Sequence, residues 1–123
     1  RLINLPLIVY WMIVADFRLY YMEQFNDVIS SGQLVLADFF ATWCQPCKMM
    51  HPILLEAKAE LGDAVRIVKV DVDKHEATAA RYGIRSVPTL MIFRNGEMLW
   101  RQSGVVAKDD LVRIVRSYLT TSF

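Results

Sequence analysis

Cysteine is scarce in this chain. Of 123 residues only Cys44 and Cys47 are cysteines, two positions intervening. That excludes a disulfide framework, so the fold must be held by its core. An excess of one charge is also missing: 14 basic and 13 acidic residues leave a formal net charge of +1, with no electrostatic reason to expect nucleic acid as a partner. Internal repeats and low-complexity segments are absent. The apolar run from Leu5 to Ala15 has eleven residues, short of the roughly 20 a membrane-spanning helix needs. What is plentiful is core material. With 54% hydrophobic and 22% charged residues, the chain is unlike a disordered one and has the length of one domain.

Both cysteines lie in Trp43-Cys44-Gln45-Pro46-Cys47, between the apolar run 34–41 and a helical pattern over 46–61. A Cys-x-x-Cys at a strand-to-helix junction reads as a dithiol/disulfide redox centre. Thiolate is the reactive form of cysteine, and the free N–H groups and positive dipole end of a helix N-terminus favour that anion at Cys44. Pro46 suits the first turn, where its missing N–H leaves nothing unpaired. A structural disulfide and half of a zinc site are the other readings of such a pair. Cys44, Cys47, His51 and His75 are the soft ligands available, but the long gap to His75 and the lack of a second close pair fit no common zinc spacing. Lys48 stands where a haem-attachment motif needs histidine.

Along the rest of the chain, Phe25, Val28 and Ile29 recur at helical spacing and Gly32 ends that run. Residues 34–41 are nearly continuous hydrophobics, as in a strand buried on both faces. The helix over 46–61 is predicted to turn Met49, Met50, Ile53, Leu54, Ala57 and Leu61 inward, with a kink at Pro52. Residues 65–72 alternate with period two, a second strand, and 74–82 form a short helix closed by Gly83. Two apolar runs, 89–93 and 98–102, flank Asn95-Gly96, the strongest short signal for a hairpin. A last helix, 109–119, groups Leu111, Ile114, Val115, Tyr118 and Leu119. Strand–helix–strand followed by a hairpin gives a mixed α/β sheet of four to five strands with helices on both faces.

From Phe17 to Leu119 the chain resembles the thioredoxin family. Four separated signals carry the resemblance in the family's order. They are Trp43-Cys44-Gln45-Pro46-Cys47, Ala37-Asp38-Phe39 before it, the stretch from Arg81-Tyr82-Gly83 to Val87-Pro88-Thr89, and Phe93-Arg94-Asn95-Gly96 with Gly104 downstream. The resemblance implies the thioredoxin fold and protein-disulfide reduction: Cys44 attacks a substrate disulfide and Cys47 resolves the mixed disulfide. It places Asp38, a carboxylate in an apolar strand, behind the pair as acceptor of the Cys47 proton through water, and brings the Lys69 ammonium toward Asp38. Burial should raise the pKa of Asp38. The Val87–Pro88 bond is expected to be cis, and Trp43, Pro46, Val72, Ser86, Val87, Pro88 and Gly104 to form the substrate surface, the extended substrate pairing with backbone. Cys44 is expected to be exposed and Cys47 recessed. No cofactor is expected to be bound; electrons would come from a flavin-dependent, NADPH-linked thioredoxin reductase, and the protein would act as a monomer on disulfide-containing proteins. Gln45 departs from the usual glycine, Phe40 from the usual tryptophan, and Ser86 and Ser103 from a glycine and an aliphatic residue. His51, four residues after Cys47, reads as a solvated helix residue or as an influence on the thiols.

Residues 1–21 form a separate apolar extension before a domain over 22–123. Residues 5–15 have the length of a signal-peptide core, though Ile13 is too large for the usual cleavage pattern after Ala15. A start at Met22 and a first edge strand over 17–20 are the other readings, and membrane association is expected only through residues 1–15. The cytoplasm is the expected compartment, export or anchoring the alternative. Exported oxidase or isomerase activity and a non-catalytic interaction subunit are the competing functions.

Overall fold

Alternation along one strand sets the layering of the molecule. In the computed structural model, which describes residues 24–120, β1 (Leu34–Phe40) is buried at every position but its last. Leu34 and Leu36 point to one face of the sheet, Val35, Ala37 and Phe39 to the other, and each set enters a different hydrophobic core. The expectations for residues 1–21, including the leader and the first edge strand, lie outside the described residues.

The sheet has the order β2-β1-β3-β4. β2 (Val65–Asp71) runs parallel to β1, while β3 (Thr89–Arg94) is antiparallel to β1 and to β4 (Glu97–Ser103). The parallel pair requires a crossover, which α2 (Gln45–Leu61) supplies. Helical residues 24–29 are α1, the short α3 is Glu76–Arg81 and α4 is Lys108–Leu119. This is the mixed sheet with helices on both faces expected from the pattern. On one face Met50, Leu54, Ala57 and Leu61 of α2 and Leu111, Val112 and Val115 of α4 cover Leu34, Leu36, Leu90 and Ile92. On the other, Phe25 and Ile29 of α1 meet Phe39, Met91 and Phe93, and Tyr82 completes an aromatic cluster with centroids 5.4–6.1 Å apart.

Two expectations need correction. Met49 is exposed, not inward, because the buried positions of α2 are Cys47, Met50, Leu54, Ala57 and Leu61. Met49 lies about 100° around the helix from Met50, off that stripe. The third helix begins at Glu76 rather than Lys74 because Asp71 Oδ1 accepts from the backbone N–H of Asp73 and Lys74 at 2.9 and 3.3 Å, holding those residues in a turn. The hairpin forms as the Asn-Gly pair predicts. Asn95 (φ 52°) and Gly96 (φ 80°) join Arg94 to its partner Glu97.

Candidate active site

Cys44 is the N-cap of α2, in extended geometry (φ −85°, ψ 117°), and its Sγ accepts the backbone N–H of Cys47 at 3.2 Å. A helix-end donor is therefore aimed at the sulfur that would carry charge as a thiolate. Cys44 and Cys47 are joined by a disulfide, their Cα atoms 5.3 Å apart. Pro46 occupies the first turn, and Pro52 lies within the same continuous helix. The expected contrast in exposure is absent. Both cysteines are 3% exposed; they differ in what they face.

Cys44 faces a cavity of about 380 Å³ that Trp43, Pro46, Val72, Ser86 and Val87 also line. The Val87–Pro88 bond is cis, and the Val87 carbonyl oxygen lies 3.6 Å from Cys44 Sγ. Trp43 is 69% exposed, and its Nε1–H donates to Asp73 Oδ2 at 2.9 Å. Pro88 is buried and not part of the cavity lining; nor is Gly104 (φ 91°), whose N–H donates to the Pro88 carbonyl at 2.8 Å. Gln45, Ile84 and Arg85 also line the cavity. Ile84 and Arg85 precede Ser86 in the same loop, which was the available signal for them. The Trp43–Asp73 contact spans 30 residues and had none.

Cys47 lines a different cavity, of about 370 Å³, with Phe40, Thr42, Lys48, His51 and Lys69. Asp38 stands opposite Lys69 in the parallel register, its side chain fully buried. The Lys69 Nζ lies 3.7 Å from Asp38 Oδ2, and neither carboxyl oxygen has a hydrogen-bond partner. Desolvation dominates, partly offset by Lys69, and pushes the Asp38 pKa up from 3.8 to about 6. A carboxyl poised there can take or release a proton near neutral pH. Among the described residues no group of three or more His, Cys, Asp or Glu side chains could hold a metal ion, and no helix is long and apolar enough to cross a membrane.

Residues 17–117 match the family model described as Thioredoxin. A thioredoxin of Bacillus subtilis is 43% identical over 97 residues, 79% of this chain and 92% of that protein. One from Chlamydia caviae is 46% identical over 96 residues, 78% and 92% of the two chains. Among solved structures, a mutant thioredoxin from Halobacterium salinarum superposes with a TM-score of 0.71 at 40% identity, covering 80% of this chain and 86% of that one.

Proposed function

The chain belongs to the thioredoxin family, and on that premise we propose how its protein-disulfide reductase chemistry is divided between the two cysteines. The family carries no bound cofactor and works between disulfide-bearing substrates and a reductase. The observation that carries the division is the disulfide at the start of α2 whose two cysteines line different cavities.

In the reduced protein, the Cys44 thiolate attacks one sulfur of a substrate disulfide. A Cys44–substrate bond forms, the substrate S–S bond breaks, and the departing thiolate takes a proton from solvent. Cys47 then gives its proton to Asp38 through water, and the Cys47 thiolate attacks Cys44 Sγ. The Cys44–Cys47 bond closes, the Cys44–substrate bond breaks, and the second substrate thiolate leaves and takes up a proton as Asp38 releases the one it accepted. Two electrons and two protons have passed to the substrate, and the protein is left in the oxidised state seen here. Asp38 suits this role because it is buried, its oxygens are unpartnered, and its pKa of about 6 lies between those of a free carboxylate and a thiol. Lys69 acts on Asp38 rather than on the sulfurs. Trp43, Pro46, Val72, Ser86 and Val87 receive the substrate chain, while Pro88 and Gly104 hold Val87 in place.

Recharging is assigned to a flavin-dependent, NADPH-linked reductase, the site to the cytoplasm and the working unit to a monomer. Two cysteines committed to one redox pair, with none left for structural cross-links, accord with a reducing compartment. The direction is tested by equilibrating the pair against glutathione and by coupling it to such a reductase with NADPH. A potential near about −270 mV with turnover supports a reductase; one near about −120 mV without turnover marks an oxidase.

A further inference from the structure

His51 has no part in the chemistry described above, yet it lines the Cys47 cavity. It sits one turn beyond Cys47 on α2, exposed, with Nδ1 3.1 Å from the Nζ of Lys69. The same ammonium lies 3.7 Å from Asp38 Oδ2 and 4.5 Å from the centroid of the Phe40 ring. An ammonium has three donors and no lone pair, so in this contact Nδ1 is the acceptor. Lys69 belongs to an edge of the described sheet and its side chain is about one-third exposed. Hydration and rotamer entropy would draw such a side chain out into water. Asp38 opposes this through an ion pair whose contact, at 3.7 Å, is too long to fix the ammonium by a hydrogen bond, and the Phe40 ring adds a cation–π contact. The bond to His51, at 3.1 Å, adds the directional hydrogen bond that fixes the ammonium in place.

We propose that His51 is a positioning residue for the resolving step: it fixes the Lys69 ammonium at the mouth of the Cys47 cavity, within Coulomb reach of Asp38, and so sets how readily that carboxyl gives up its proton. The inference rests on the reading of Asp38 as acceptor of the Cys47 proton. A cation favours the charged form of a neighbouring carboxyl, and the effect weakens as the ammonium moves away. The other groups facing this cavity do not substitute for Lys69. Lys48 and Cys47 line it from α2, but neither has an ion pair with Asp38, and on β3 the register partner of Asp38 is the apolar Leu90.

The test uses the full chain, reduced and then treated with 5,5′-dithiobis(2-nitrobenzoate). The first thionitrobenzoate released reports attack by Cys44 and the second reports resolution by Cys47. His51→Leu removes the acceptor and keeps the bulk; His51→Gln returns an acceptor oxygen. In His51→Leu the midpoint of the resolution rate against pH should move up by about half a unit or more, with the attack phase unchanged. His51→Gln should return it to the wild-type value. A His51→Leu profile that overlays wild type or moves down, or a His51→Gln profile that matches His51→Leu, overturns the proposal. Asp38→Asn separates the two readings. If it abolishes the inflection while His51→Leu leaves it in place, only the role of His51 fails; if Asp38→Asn keeps the wild-type profile, the acceptor assignment fails and the proposal with it.

Discussion

The cavities at Cys44 and at Cys47 are nearly equal in volume, about 380 and 370 Å³, and differ in the charged and titratable side chains that line them. Around Cys44 stand an exposed indole, two valines, an isoleucine and a proline, with Arg85 as the one charged side chain. Around Cys47 stand Lys48, His51 and Lys69, with the buried Asp38 behind. Since both cysteines are equally buried, accessibility alone does not assign their roles. The proposed division rests on surroundings: apolar surface and a backbone carbonyl suit a peptide chain, whereas titratable groups suit the movement of a proton.

The largest expected effects follow from exchanging the sulfurs. Cys44→Ser should abolish disulfide reduction and form no mixed disulfide, while Cys47→Ser should still attack and accumulate one, as read by mass spectrometry. Equal trapping by both variants would erase the asymmetry.

Next comes Asp38→Asn in the oxidised protein, where the cysteines do not titrate. The folded pKa of Asp38 is raised, so its contribution to stability is full below 3.8 and is lost as pH rises through about 6. The variant should match wild type near pH 3 and exceed it by up to about 3 kcal/mol near pH 8 in urea unfolding. A pH-independent difference would mean that the carboxyl is not desolvated.

Smaller effects belong to the Cys44 side. Trp43→Ala removes apolar surface and the bond to Asp73, so KM for a protein substrate should rise about fivefold with kcat within about twofold. A fall in kcat alone would place Trp43 in the chemistry instead of in binding. Smallest is Met49→Gln, beside the disulfide in sequence but lining neither cavity. It should alter thermal stability by no more than about 0.5 kcal/mol and leave both steps unchanged.

How much of this was legible in the sequence depends on the range of the interaction. β1, the Asn95-Gly96 turn and the N-terminus of α2 are set by neighbours a few residues apart, and all appear in the pattern. Asp38 stood out because a carboxylate in an apolar strand conflicts with its surroundings. The inward placement of Met49 failed because two adjacent methionines differ only by a rotation that packing against α4 decides. The expected exposure of Cys44 failed because Val87, 43 residues away, comes up against its sulfur. The His51–Lys69 bond needs the register of α2 on β2, which no local pattern carries.

One kinetic experiment tests the division most directly, the separate rates of attack by Cys44 and resolution by Cys47 in Asp38→Asn at neutral pH. Proton handling confined to the Cys47 side predicts attack within about twofold of wild type and resolution slowed by about tenfold or more. Equal slowing of both steps, or of attack alone, would contradict the division between the two cavities.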